Sequence, residues 1–264
     1  MGRAGVPVTA TSLAGQMLLA VFAHPDDESL ACGGTLARLA DAGMRVVVVT
    51  ASRGERGGPM APLADDAIGR LRAAELVEAA TVLGVGELVI GDHPDGDLRW
   101  RHVTEFGAEL ATYMRRHRPA AVITFGYDGL YWHPDHISVC ERVTAAVRSL
   151  GAGAPPLYYV TMRHGVMTEI VTAASATGWV PPSGGFWGIP ADAFGLRAER
   201  ATITVNVERF VPQKLAAIRC HRSQMHDGDP FARLDGASAR RLLGMEDFHR
   251  ADIPAGGPPV LEQL

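Results

Sequence analysis

Two short runs, His24-Pro-Asp-Asp-Glu28 and His133-Pro-Asp-His136, each crowd histidine and carboxylate into four or five residues. Imidazole nitrogens and carboxylate oxygens together suit zinc and related divalent cations. Positions 24 and 27 are an i, i+3 pair that can face one point if the chain turns there, which leaves Asp26 beside a water held by the ion. His133 and His136 have the same spacing, and spacing alone does not choose between them as ligand. A catalytic zinc keeps about three protein ligands and one open position, so not every His and Asp in the two runs can be recruited.

The elements that must position these runs follow from the apolar pattern. Met17–Ala23 is a short continuous apolar run of the kind a parallel strand covered on both faces shows, and it stops at the first cluster. The pattern then predicts a helix over 29–43, a strand over 45–50, a Gly-rich loop over 53–59, a helix over about 65–83 closed by Gly84 and a strand over 87–91. A helix over about 104–118, a strand over 120–125 and a helix over 136–150 complete four strand–helix alternations. Such alternation argues for an α/β fold, a Rossmann-like, mostly parallel sheet flanked by helices. Ligands in these sheets sit beyond the carboxyl ends of strands, and polar clusters fall at all four ends: 24–28, 52–56, 92–97 and 127–136.

The last third reads differently, as a smaller C-terminal extension. The whole chain, 1–264, is expected to be one domain, with the core over about 17–150 and the elaboration over about 151–250. Strands are predicted over 157–160 and 202–207 and a helix over 211–224. Residues 165–200, rich in Gly and Pro and carrying Trp179, Phe186 and Trp187, read as a long loop or small excursion near the site, and the tail from Ala251 as extended and poorly ordered. Trp132 and these three aromatics suit either stacking on a ligand ring or packing at the rim.

Composition closes several doors. Of 25 basic residues, 24 are Arg and one is Lys214, so lysine chemistry rests on one position, and its Val-Pro-Gln-Lys-Leu context excludes a P-loop. A net charge of −4 with scattered Arg gives no footprint for nucleic acid. Cys32, Cys140 and Cys220 lie far apart, which suggests neither a disulfide framework nor a Cys-rich zinc module. No run approaches the ~20 apolar residues of a membrane span, and a cytoplasmic protein is expected. The G-x-G-x-x-G of a dinucleotide-binding module is missing after the first strand, where the first cluster stands instead.

Ala23-His-Pro-Asp-Asp-Glu28 together with Tyr131-Trp-His-Pro-Asp-His136 resembles the LmbE/PIG-L family of zinc-dependent N-deacetylases. The likeness extends to Thr50–Gly57, Arg70–Glu75, Pro94–Gly96 and Lys214–Gln224, about residues 17 to 225 in all. It implies one Zn²⁺ per chain, with Fe²⁺ an alternative, bound by His24, Asp27 and His136, water being the fourth ligand. It further implies Asp26 as general base, Tyr131 and His133 as carbonyl-polarising groups, and Asp135 as the acceptor that orients a histidine. Arg70 matches a family substrate-contacting arginine; Glu55 and Asp95 are further substrate candidates, against the plainer readings of a solvated loop pair and an Asx turn. The implied substrate is a small N-acylated, most simply N-acetylated, amino sugar, the alternatives being a larger mycothiol-type or natural-product conjugate cleaved by an amidase, or a non-catalytic metal-binding module. A homo-oligomer is compatible with all of these.

Overall fold

The structure is a computed structural model and describes residues 13–57, 64–99, 103–185, 189–195, 203–225 and 229–264. Phe186, Trp187 and His102 lie outside the described residues. The first half alternates as β1 (Met17–Phe22), α1 (Asp27–Asp41), β2 (Arg45–Thr50), α2 (Asp65–Leu83), β3 (Glu87–Ile90), α3 (Val103–His117) and β4 (Ala121–Phe125). A single distorted turn, α4 (Gly129–Trp132), leads into α5 (Pro134–Arg148), followed by β5 (Leu157–Thr161) and α6 (Val166–Ser175). The chain ends through β6 (Ile203–Asn206), α7 (Val211–Cys220), α8 (Gly236–Leu243) and β7 (Met245–Arg250).

Among the described residues, seven strands form one sheet in the order β3-β2-β1-β4-β5-β7-β6. The first five are parallel, while β7 runs antiparallel to both β5 and β6. β1 lies inside the parallel part and every residue of it is buried, which is why it reads as unbroken apolar sequence. The strand order reverses between β1 and β4, the switch point at which such sheets open a crevice, and the two His/Asp clusters follow these two strands.

The C-terminal third departs from the sequence reading in several ways, among them the unexpected α8 and β7. Of the two readings of 165–200, the described residues follow the small excursion rather than the long loop, since α6 packs Met167, Ile170 and Ala174 into a second apolar cluster with Trp179, Phe194, Phe231 and Leu242. Trp179 is thus a packing residue, whereas Trp132 is largely exposed. The helix from Val211 stops at Cys220, short of Gln224. The tail is anchored rather than loose: Val260 and Leu261 are buried, and the Val260 N–H donates to the Tyr158 hydroxyl at 2.9 Å.

Lys214 has a defined place in this frame. α1 is broken at Cys32 (φ −150°, ψ 30°), and beyond the break the Gly34 and Thr35 N–H groups donate to the Glu246 carboxylate of β7 at 3.0 and 2.7 Å. Lys214 Nζ donates to the same carboxylate at 2.6 Å, and both side chains are almost completely buried. Lys214→Met would leave that carboxylate without its cation. The expected loss is about 3–5 kcal/mol of unfolding free energy, read by urea denaturation; an unchanged midpoint would show that the two N–H groups suffice.

Candidate active site

The first cluster begins where β1 ends. Asp26 takes φ +113°, a conformation that L side chains rarely adopt, and it caps α1 by accepting the Ser29 and Leu30 N–H groups at 3.1 Å each. Its own N–H donates to Glu28 Oε2 at 3.0 Å, and Glu28 Oε1 faces His221 Nε2 at 2.8 Å. Burial opposes charging of His221, but Glu28 raises its pKa on balance, so a buried ion pair from the start of α1 to the end of α7 holds the turn. The second cluster is held likewise: Leu130 and Trp132 both have φ +65°, and His133 begins α5 with its Nδ1 accepting the Asp135 N–H at 3.2 Å. Strain at three non-glycine residues flanking one site marks a geometry that the surroundings enforce.

His136 Nδ1 lies 3.1 Å from the Gly129 carbonyl oxygen, to which it donates, so its Nε2 lone pair points inward. That Nε2 is 3.3 Å from His24 Nδ1 and 3.1 Å from Asp27 Oδ1, and His24 Nδ1 is 3.4 Å from Asp27 Oδ2. A tetrahedral cation with ligand bonds of about 2.0–2.1 Å has ligand-to-ligand edges of about 3.3–3.4 Å; the two imidazole nitrogens match such an edge, and the Asp27 carboxylate reaches one nitrogen with each oxygen, so the three residues suit a single zinc-sized ion. On its other edge, His24 Nε2 faces Asp95 Oδ1 at 3.1 Å and Asp135 Oδ2 at 3.3 Å. A proton on Nε2 serves both carboxylates and leaves Nδ1 for the metal, the outer arrangement that metal-binding histidines ordinarily have. Burial resists charge on His24, yet Asp135, Asp27 and Asp95 outweigh it and raise its pKa well above the ordinary imidazole value. Burial would likewise raise Asp27, but His136 and His24 draw it well below the usual carboxylate range. The cluster is therefore built to receive positive charge. The ligand atoms of His24, His133 and His136 also lie within 4.8 Å of one another, but His133 Nδ1 is occupied and its ring stacks on His136 with centroids 4.5 Å apart.

Asp26 stands beside this cluster. Burial pushes its pKa up to about 6, against the opposing charge of Arg72, whose Nη2 donates to Asp26 Oδ2 at 3.3 Å and to the Pro25 carbonyl at 2.7 Å. Burial pushes His133 down to about 4, with His136 and His24 adding to the effect, so at neutral pH it is an uncharged imidazole with its proton on Nε2. The Tyr131 ring meets His133 and His136 edge-on at 5.7 and 5.2 Å between centroids, and burial raises its hydroxyl pKa well above normal, keeping it protonated. A cavity of about 860 Å³ opens over these groups.

Three expected substrate residues are placed otherwise. Arg70 is exposed on α2 and paired with Asp66, away from the cavity; the arginine in the site is Arg72, two positions on and buried, its Nη1 held by the Gly54 carbonyl at 2.7 Å. Glu55 accepts the Asp95 N–H at 2.8 Å and so fastens one loop to another outside the cavity lining. Asp95 does line the cavity, but its carboxylate is committed to His24 and to the Arg56 N–H at 2.9 Å; burial notwithstanding, these hold its pKa down to about 2. Glu28 and His221 had no role in the sequence reading, although Glu28 closes the first cluster and His221 lies in the family-like stretch Lys214–Gln224; their pairing across 193 residues is what the sequence does not show.

The family model for GlcNAc-PI de-N-acetylase matches residues 19–147. A 1D-myo-inositol 2-acetamido-2-deoxy-alpha-D-glucopyranoside deacetylase of Thermobispora bispora is 31% identical over 95% of this chain and 97% of its own. Among solved structures, the N,N'-diacetylchitobiose deacetylase of Pyrococcus horikoshii shares the fold with a TM-score of 0.65 at 19% identity, covering 90% of this chain and 84% of that one. The 4-carboxy-2-hydroxymuconate hydratase GalB of Pseudomonas putida shares it with a TM-score of 0.63 at 22% identity, covering 94% of this chain and 99% of that one. The fold by itself therefore does not name a reaction.

Proposed function

Because this chain belongs to the PIG-L (GlcNAc-PI de-N-acetylase) family, we propose that it is a metal-dependent N-deacetylase that hydrolyses the acetamide of an amino sugar or a related small conjugate. The observation that carries the reading is the triangle of inward-facing donors on His24, Asp27 and His136 with Asp26 beside it. A zinc or iron(II) ion held there would supply Lewis acidity to the amide carbonyl and a more acidic water. Asp26, as the base, takes a proton from the attacking water, and the Arg72 guanidinium holds one of its oxygens so that the other faces the reacting centre. The Tyr131 hydroxyl and the His133 Nε2–H donate to the carbonyl oxygen as it gains charge. The protonated Asp26 then delivers its proton to the leaving nitrogen. His133 is ill suited to that step, since a neutral imidazole is a weak acid. Asp95 and Asp135 act on His24, fixing its tautomer and turning Nδ1 toward the ion.

The test is acetate release from 1D-myo-inositol 2-acetamido-2-deoxy-alpha-D-glucopyranoside and a panel of other N-acetylglucosaminides. Chelated protein should be inactive, and activity should return with one equivalent of Zn²⁺ or Fe²⁺. Metal-loaded protein that releases no acetate from any member of the panel would overturn the reading.

A single donor can be isolated as well. His133→Ala should keep its metal while kcat falls about 10²–10³-fold, the scale of losing one hydrogen bond to a developing oxyanion. Metal content by atomic emission beside steady-state kinetics checks this, and loss of the metal would make His133 a ligand.

A further inference from the structure

Glu28 and His221 are completely buried and neither lines the cavity, so neither touches a substrate held there. A carboxylate and an imidazole are costly to keep from water, and the bonds of this pair lead to one place, the turn at Asp26.

Both peptide groups that flank the Asp26 Cα are held. On the C-terminal side the Asp26 carbonyl accepts the Ser29 and Leu30 N–H groups, bonds that belong to the start of α1 itself. On the N-terminal side the Pro25 carbonyl accepts from Arg72 Nη2 at 2.7 Å while the Asp26 N–H donates to Glu28 Oε2 at 3.0 Å, so two side chains grip opposite edges of one peptide group. With both planes fixed, φ and ψ are fixed at +113° and −27°, and with them the direction of the bond that carries the base. A conformation so rarely adopted persists only where its surroundings over-determine it.

One of the two grips depends on a distant residue. Glu28 Oε1 accepts from Ser29 Oγ at 2.6 Å and from His221 Nε2 at 2.8 Å, just past the end of α7. Two residues on, the Ser223 N–H and hydroxyl donate to Glu75 at 2.9 and 2.6 Å, and Glu75 stands one turn beyond Arg72 on the buried face of α2. The two grips on the Pro25–Asp26 peptide are therefore tied to each other behind the site. Asp27 is outside this frame, since its Oδ2 accepts the His24 N–H at 2.8 Å and its Oδ1 faces His136.

We infer that His221 is a positioning residue for the base: through Glu28 it fixes the Pro25–Asp26 peptide, and so aims the Asp26 carboxylate, without touching substrate or metal. This rests on the N-deacetylase reading and deepens it. It also gives the stretch Lys214–Gln224 a part in the reaction that its distance along the chain conceals.

The experiment compares His221→Ala with His221→Gln, whose amide nitrogen reaches the place of Nε2, on Zn²⁺-loaded protein. Metal content, steady-state acetate release from an N-acetylglucosaminide and the amide proton resonance of Asp26 are read together. In His221→Ala the metal should stay at about one equivalent and KM within about twofold, while kcat falls about 10²-fold, the scale of a base displaced by an ångström. The Asp26 amide resonance should move upfield as its bond to Glu28 loosens, with those of Leu19 and Val21 in β1 unmoved. His221→Gln should recover most of the kcat and return the resonance. Should His221→Ala not fold, Glu28→Gln/His221→Ala, which removes the buried carboxylate together with the imidazole, carries the same expectation. Unchanged kcat, loss of the metal, or a fall in kcat with the Asp26 resonance in place overturns the inference. If wild-type protein hydrolyses no N-acetylglucosaminide, the deacetylase reading falls, while the Asp26 resonance still decides whether His221 holds that peptide.

Discussion

Asp26→Asn should abolish nearly all turnover while leaving the metal in place. Asparagine keeps the shape of the side chain and its capping position, and it tolerates positive φ better than most residues, so the φ +113° turn survives. What is lost is a proton acceptor. The reaction needs one group to take a proton from water and return it to nitrogen, and a general base of this kind contributes about 10²–10⁴ in rate. Since His133 is held neutral, with its proton on Nε2 and its pKa near 4, no neighbour takes over, and the loss in kcat should lie at the upper end of that range. The wild-type pH profile carries the same information. Activity requires ionised Asp26, so kcat/KM rises with pH through the pKa of that group. The metal-free value is about 6, and a bound dication would draw it lower, placing the acid limb at or below pH 6. Unchanged kcat in Asp26→Asn would assign the base elsewhere.

His136→Ala should lose the metal together with the activity. Its Nδ1 is turned to the Gly129 carbonyl by the local fold, so the ring has one outcome, an Nε2 lone pair aimed at His24 and Asp27. Removing it leaves two protein donors, fewer than the three that catalytic zinc sites keep. The comparison with His133→Ala is the decisive one, because the two histidines share a run, a spacing and a stacked contact, and only their hydrogen bonds distinguish them. Metal analysis after dialysis should give about one equivalent for His133→Ala and little for His136→Ala. The reverse would exchange their roles.

Legibility in the sequence followed the range of the interactions. The β1–β4 strands and both clusters could be read because a buried parallel strand is a local apolar run and each cluster is a local chemical anomaly. Choosing between His133 and His136 was beyond spacing, since the choice lies in bonds to Gly129 and Asp135. Arg70 and Arg72 lie on opposite faces of α2, and it is Arg72, not the expected Arg70, that shares the buried face with Ile68 and Leu76 and meets the loop after β2. β7 was missed because Met245-Glu-Asp-Phe-His-Arg250 buries a glutamate on its inward face, where an apolar residue would have announced a strand. α6 was hidden by the Gly- and Pro-rich sequence after it. The Glu28–His221 pair is invisible to any local reading.

The place of β7 in the sheet has a consequence for how the chain is made. It is the last strand synthesised, yet it sits between β5 and β6, so β6 has no neighbour to bond until residues 245–250 emerge. Its Glu246 then reaches back 212 residues to cap the second half of α1, the helix whose first turn carries Asp27. Contacts of such separation form late in folding. A chain that has already released His24, Asp27 and His136 therefore still lacks the strand that braces the helix of Asp27. The second half of α1 is thus braced only once residues 245–250 are in place.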